Sequence, residues 1–277
     1  MTAAEIAARH GLKPSRRGEW RGNCPACGYK NGLTLSEKGG RLLWVCSSCA
    51  DQEAVGKALL GGAAPPRPEA DAAPVLREDR RGAVRAMLER ARPSPIIPAY
   101  LGNRGLRLPP SAPLLYLANA KHPSGRALPC MLALLHDLAG EVVAVHRTFL
   151  APGGTGKATV EPVRMTLGDV RGAAVRLHAV APHLVIGEGI ETTLAASELL
   201  GFPAWAATSA GNLGDALALP AEVREVTIAA DNDPPGRRAA KAAAARWRAE
   251  GRAVRVAMPD KPGADFNDLL LERKRHG

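Results

Sequence analysis

The sequence predicts an α/β protein built from a small cysteine-bearing module, a linker, a basic mixed α/β segment and a C-terminal parallel sheet flanked by helices. Three observations predict it. Two C-x-x-C pairs, Cys24/Cys27 and Cys46/Cys49, stand close to the N-terminus. From Leu184 onward, short apolar runs of strand type alternate with helical ones, the pattern of βαβ units. The chain has 277 residues, more than one small domain uses.

The composition narrows the function classes. With 46% hydrophobic and 23% charged residues, the chain has enough apolar surface to bury a core. Its net charge of +10 favours an acidic polymer or a phosphate-bearing partner, with nucleic acid foremost. Aromatics make up only 4%, which argues against stacked bases as the main binding mode. The longest apolar runs, such as Met131 to Leu135, fall far short of the roughly 20 residues that cross a bilayer. The N-terminal MTAAEIAARHGLK has no signal-peptide core. A cytoplasmic protein with no membrane association is expected.

Residues 28–45 separate the two cysteine pairs, which is zinc-ribbon spacing. Each pair sets two thiolates on one tight turn, and two facing turns complete a closed tetrahedral S4 site for structural Zn2+. Gly28 suits the first turn, and Leu42 to Val45 suit the strand leading into the second. Zinc would stabilise a module too small to fold on its hydrophobic core alone. The fifth cysteine, Cys130, lies in the apolar run LPCMLALL and is expected to be an inert core residue.

The organisation follows from composition shifts. Residues 1–60 form the zinc-ribbon domain, closed by a short helix over 53–60. Residues 61–82, rich in Pro, Ala, Gly and charge, form a linker. Residues 83–181 hold a helix (AVRAMLERA), a Pro-bounded segment and the hairpin LPCMLALLHDLAG–EVVAVHRTFL. Residues 182–277 form a domain with a four-stranded parallel sheet flanked by helices, with strands LVIGEG, PAWAATSA, EVTIAADND and AVRVAMPD. Helices are expected at IETTLAASELLG, GNLGDALAL, GRRAAKAAAARWRAEG and FNDLLLERKR.

In an open parallel sheet, sites form beyond the carboxyl ends of the strands, and acids cluster at three such ends here. Glu188 closes the first strand, Asp231 and Asp233 close the third, and Asp260, Asp265 and Asp268 follow the fourth. Carboxylates converging in this way repel unless a cation neutralises them, so the physical reading is a hard-metal site for one or two Mg2+. Gly187, Gly189 and Gly236 are expected to let phosphates approach the backbone. Taken singly, each acid could instead cap a helix.

Glu188-Gly189, Asp231-Asn232-Asp233 with Gly236, and Asp265 with Asn267 and Asp268 together resemble the motifs of the Toprim domain shared by bacterial-type primases, topoisomerases and some nucleases. The order of a zinc ribbon, a linker, a basic subdomain and this domain resembles bacterial, phage and plasmid primases. In the middle region, GEVVAVHRT resembles the primase strand carrying an active-site arginine (Arg147), and GKATVEPVRMTLG resembles the basic motif after it (Lys157 and Arg164). The resemblance implies an enzyme synthesising short RNA primers on single-stranded DNA from ribonucleoside triphosphates. Glu188, Asp231, Asp233 and Asp265 would be catalytic, and these four with Asp268 would hold Mg2+. Arg147, Lys157 and Arg164 would bind nucleotide or DNA. Arg16, Arg17, Arg21, Lys30 and Lys38 around the ribbon would grip template, and the basic helix with Arg237, Arg238, Lys241, Arg246 and Arg248 is a candidate nucleic-acid face. A replicative helicase acting in trans, or a mobile element that primes its own replication, would supply the setting.

The chain departs from that pattern in places. Asn267 stands where many primases place a second Asp, and one zinc position that is often His is Cys here. APGGTGKAT imitates a phosphate-binding P-loop, but Ala151 and Ala158 occupy the positions of its first Gly and its Ser or Thr, so it reads as a basic loop. Competing readings are a Toprim nuclease or topoisomerase and a non-catalytic RecR-like recombination mediator. The full acidic set disfavours the mediator. Tyr29, Tyr100 and Tyr116 lie in the ribbon or middle region, without the gate domain a topoisomerase needs.

Overall fold

The computed structural model describes residues 2–16, 18–26, 28, 31–46, 52–61 and 80–276. The chain divides into two compact units, Met1–Leu76 and Arg77–Gly277.

In the first unit, helix α1 (Ala3–Arg9) opens with a capping box in which Thr2 and Glu5 satisfy each other's backbone amides. Four antiparallel strands follow in sequential order: β1 (Lys13–Arg16), β2 (Glu19–Gly22), β3 (Leu33–Lys38) and β4 (Arg41–Cys46). Helix α2 (Gln52–Leu60) then packs on β4. Ile6, Leu33, Leu35, Val55 and Leu59 fill the core together with Cys24 and Cys46. The expected turn after the first cysteine is present: Gly28, at φ +73°, donates its N–H to the Cys24 carbonyl at 2.7 Å. Gln52 clamps Cys46, accepting from its N–H (3.0 Å) and donating to its carbonyl (3.2 Å). Cys27 and Cys49, with Arg17 and Lys30, lie outside the described residues, as does linker segment 62–79.

The second unit begins with α3 (Arg80–Leu88) and α4 (Ile96–Gly102). An antiparallel meander follows: β5 (Leu114–Lys121), β6 (Ala127–His136), β7 (Val142–Phe149) and β8 (Arg164–Gly168). The hairpin read from the sequence is β6–β7, and APGGTGKAT is the loop after it, containing a 3₁₀ turn at Pro152–Gly154.

A second sheet has the order β13-β12-β10-β11-β9, comprising β9 (Val175–Arg176), β10 (His183–Gly187), β11 (Ala204–Ala206), β12 (Glu225–Ala229) and β13 (Ala253–Ala257). The four strands expected to be parallel are parallel, and β9 adds a fifth, antiparallel strand at the β11 edge. At two residues, β9 is too short to carry a periodic signal in sequence. Helices α5 (Ile190–Leu200), α6 (Pro234–Ala249) and α7 (Phe266–His276) are as expected, but GNLGDALAL forms only a π-helical turn, Asn212–Ala216. Asn212 explains the difference. Its side chain donates to the Ala173 and Ala207 carbonyls and accepts from Gly172 N–H, which anchors the turn to its neighbours instead of letting it extend.

The sheets share one core. Ile97, Tyr100 and Leu101 of α4, Met131, Ala133 and Leu135 of β6, Ile190, Leu194 and Ala195 of α5, and Phe266 and Leu270 of α7 pack into a single cluster. The segments read as 83–181 and 182–277 are therefore parts of one compact unit. Helix α6 packs Ala239, Ala240, Ala243, Ala244 and Trp247 on the other face of the second sheet. No helix among the described residues is long and apolar enough to cross a membrane.

Candidate functional site

Glu188 follows β10, and Asp231 and Asp233 follow β12, the adjacent strand. Their shared edge is where parallel sheets place ligands. Asp265 is brought there by the loop between β13 and α7, which Asn232 holds in place. The Asn232 backbone accepts from Gly263 N–H (2.7 Å) and donates to the Ala264 carbonyl (3.2 Å). Its side-chain amide donates to the Pro259 (2.8 Å) and Asp260 (3.2 Å) carbonyls. The middle residue of the D-N-D run is thus a buried clamp between two acid-bearing loops.

The electrostatics record the convergence. Burial, then the Asp231 and Asp233 charges, push the Glu188 carboxyl up to about 7 against the pull of Arg164 and a hydrogen bond from the Ala210 backbone. Burial, then Asp265 and Asp233, raise Asp231 to about 6, with Arg164 again opposing. Asp231 Oδ1 is buried with no hydrogen-bond partner among the described residues. A buried carboxylate oxygen left unsatisfied, facing other carboxylates, fits a hard divalent cation such as Mg2+.

The carboxylates of Asp233, Asp265 and Asp268 accept backbone N–H groups. Asp233 caps α6, accepting from Gly236 N–H at 2.7 Å. Asp265 and Asp268 form a reciprocal pair at the start of α7, each carboxylate accepting the other's N–H at 3.0 and 3.1 Å, and Thr192 Oγ1 lies 3.3 Å from Asp265 Oδ2. As placed, no three His, Cys, Asp or Glu side chains among the described residues are grouped to hold a metal ion. Asn267 faces away from the acids, donating to the Arg104 carbonyl at 2.9 Å.

The basic residues divide by strand register. On β8, Arg164 pairs with Thr148 and Thr166 with His146, on the face turned toward the acids, and Arg164 is the cation acting on both Glu188 and Asp231. Arg147 pairs with Met165 and Leu132 on the opposite face, its guanidinium contacting Met165 Sδ at 4.0 Å beside Cys130, and the structure does not bring it to the acidic cluster. Lys157 is committed elsewhere, with its Nζ 3.0 Å from Glu191 Oε1. Cys130 is buried, and burial pushes its thiol up to about 12, as suits an inert core residue. On α6, Arg246 donates to the carbonyls of Leu213 and Leu217 and so closes the π-helical turn.

The glycines correct an expectation. A Cβ on Gly187 would lie 2.4 Å from Thr193 Oγ1, and one on Gly236 would lie 2.5 Å from the Asp231 carbonyl, so both serve internal packing. Only Gly189, at the N-terminus of α5 with Arg164 3.9 Å from its Cβ position, leaves room for a ligand.

Sequence reasoning missed two features. Glu191 is buried, accepts the Tyr100 hydroxyl hydrogen bond at 2.6 Å and pairs with Lys157. Burial alone would raise its carboxyl, but Lys157 and Tyr100 overcome that and hold it at about 2. An acid three residues after Glu188 was the available signal. The second is Thr208, at φ +65°, whose N–H donates to the Glu188 carbonyl at 2.8 Å. A β-branched residue in the left-handed region is strained, and no sequence motif marks it.

Residues 183–275 match the Toprim domain family, and residues 78–177 match a domain of unknown function, DUF7146. No curated protein matches the sequence. Among solved structures, the zinc-binding and RNA polymerase domains of Aquifex aeolicus primase align over 100% of this chain and 81% of that one, at 13% identity and a TM-score of 0.50. The primase fragment of the bacteriophage T7 primase-helicase aligns over 92% and 96% (17% identity, TM-score 0.46). The E. coli primase catalytic core aligns over 69% and 73% (17% identity, TM-score 0.43). The match at residues 183–275 agrees with the acid-bearing sheet edge: these residues form a Toprim domain, and the chain has the fold of a bacterial-type primase.

Proposed function

We propose that this protein is a DNA primase that synthesises short RNA primers on single-stranded DNA by Mg2+-dependent nucleotidyl transfer. The observation that carries the reading is the convergence of Glu188 and Asp231, whose buried Oδ1 has no partner among the described residues, with Arg164 as the cation acting on both. Glu188 and Asp231 would hold Mg2+, with Asp233, Asp265 and Asp268 recruited by exchanging their helix-capping bonds. When bound, Mg2+ supplies charge neutralisation at the α-phosphate and the leaving pyrophosphate. Arg164 orients the triphosphate from the opposite side, and the Gly189 backbone leaves it space. In the alternative role, Glu188 would leave Mg2+ to the aspartates and, as the ionised carboxylate, accept the proton of the attacking 3'-hydroxyl. The Ala210 amide holds that carboxylate in position. Arg147 and Lys157 are assigned to binding the nucleic acid only when their present partners, Met165 and Glu191, release them.

Structural Zn2+ on Cys24, Cys27, Cys46 and Cys49 belongs to the same reading. It is supported by the closed Cys24–Gly28 turn and by the burial of Cys24 and Cys46. The protein is read as cytoplasmic, taking ribonucleoside triphosphates and a single-stranded template, with a helicase as a partner in trans.

The test is primer synthesis on mixed-sequence single-stranded DNA with labelled ribonucleotides and Mg2+. Wild type is expected to make short RNA, and Asp231→Ala none while still binding template. DNA cleavage by the wild type with no nucleotides present would replace the reading with that of a nuclease. Metal analysis of the purified chain is expected to give one zinc per molecule.

A further inference from the structure

The exposed edge of the second sheet carries a groove between α6 and β13. We infer that the β13 edge is a docking site for an extended acidic-apolar peptide segment of a partner protein, which adds to the sheet as a sixth strand. β13 is the terminal strand, hydrogen-bonded on one side to β12. Ala253 N–H bonds to Arg224 and the Ala257 carbonyl accepts from Ala230, so the odd-numbered residues of β13 face β12. Val254 and Val256 therefore turn their backbone groups outward. Arg248 donates to the Val254 carbonyl at 3.0 Å, which blunts the edge there and leaves it open at Val256.

Beside that open edge lies a groove of about 290 Å3 between α6 and β13. Its apolar lining is Ala240, Ala244, Val256 and Met258, and Arg237, Lys241 and Arg248 form its rim. Val256 is 47% exposed and Met258 41%, large apolar side chains side by side on a surface where charge is abundant. A strand laid along Val256 would bond to its N–H and carbonyl, set apolar side chains against Val256 and Met258, and meet three cations with acidic ones. A nucleic acid suits the site less well. Its backbone has no use for an open strand edge, and the lining offers no aromatic ring on which to stack a base.

The test is selection of a random peptide library against the full chain, with the recovered peptides measured on Lys241→Glu and Val256→Pro. Val256 N–H faces outward, so proline there removes an edge donor without breaking the β12 ladder. The expected result is a consensus alternating apolar and acidic residues, binding at least about tenfold more weakly to each variant and more weakly as salt rises. If Val256→Pro melts below wild type, Val256→Lys takes its place. Failure to recover such a consensus, or equal binding to wild type and variants, overturns the inference. Loss of labelled oligothymidylate binding in Lys241→Glu but not in Val256→Pro would also overturn it, assigning the rim to a phosphodiester backbone.

Discussion

Glu188 and Glu191 lie within one turn of the same chain segment and have opposite fates. Glu188 sits among like charges with one guanidinium for relief, and its carboxyl rises to about 7. Glu191 is buried more deeply, yet an ammonium at 3.0 Å and a phenol at 2.6 Å hold it at about 2. Burial pushes both the same way, and partners decide the outcome. The Glu191 cluster is complete as it stands. The Glu188 cluster has a buried oxygen, Asp231 Oδ1, without a partner among the described residues and an excess of negative charge, which an external cation would complete.

Breaking the incomplete cluster should have the largest effect. Asp231→Ala is expected to reduce primer synthesis by about 10^3-fold or more while leaving the melting temperature equal or higher, because it removes repulsion rather than a contact. Activity assays paired with thermal unfolding check both halves. Breaking the complete cluster should do the reverse. Glu191→Ala leaves the buried Tyr100 hydroxyl without its acceptor and the part-exposed Lys157 without its counter-charge, and urea unfolding should show a loss of about 1–3 kcal/mol.

The two glutamates also separate in pH. Glu191, depressed in the folded state, contributes stability above its unfolded pKa near 4.5, and that stability is lost as pH falls toward 2, of order 3 kcal/mol in all. Glu188, raised in the folded state, favours folding below pH 4.5, and that contribution is lost as pH rises through 7. In chelator, unfolding free energy is expected to fall between pH 5 and 7, and Glu188→Gln should flatten this decline. Adding Mg2+ to wild type should flatten it too. A decline identical in Glu188→Gln would show that the repulsion lies elsewhere.

Smaller effects test the scaffold. Gly236→Ala forces a methyl group to 2.5 Å from the Asp231 carbonyl and is expected to cost about 1–3 kcal/mol. Thr208→Gly relieves a φ of +65° and should stabilise the fold by about 1 kcal/mol. If the strain positions the Ala210 amide on Glu188, activity should fall as stability rises.

The alternation of apolar runs after Leu184 made the four parallel strands and their order of connection legible in sequence, and the sheet-edge rule placed Glu188, Asp231 and Asp265 at one edge. What could not be read depends on partners distant in sequence. Asn232 carried no role of its own in the motif Asp231-Asn232-Asp233 and is the clamp for a loop some thirty residues away. Arg147 and His146 are adjacent, and only the register of β7 against β8 decides which one faces the acids. Gly187 and Gly236 looked like phosphate-approach glycines because sequence cannot show that Thr193 and the Asp231 carbonyl already fill that space.

The packing of α5 against α4 and β6 bears on how the protein can be divided. The two family matches meet between residues 177 and 183, a natural place to cut an expression fragment, yet Ile190, Leu194 and Phe266 on one side share a core with Ile97, Tyr100 and Met131 on the other. A protease nicking this junction should leave two pieces that co-purify, and either half produced alone would carry an uncovered greasy flank and precipitate. The acid-bearing half cannot be lent to another scaffold without the helix and hairpin that close it.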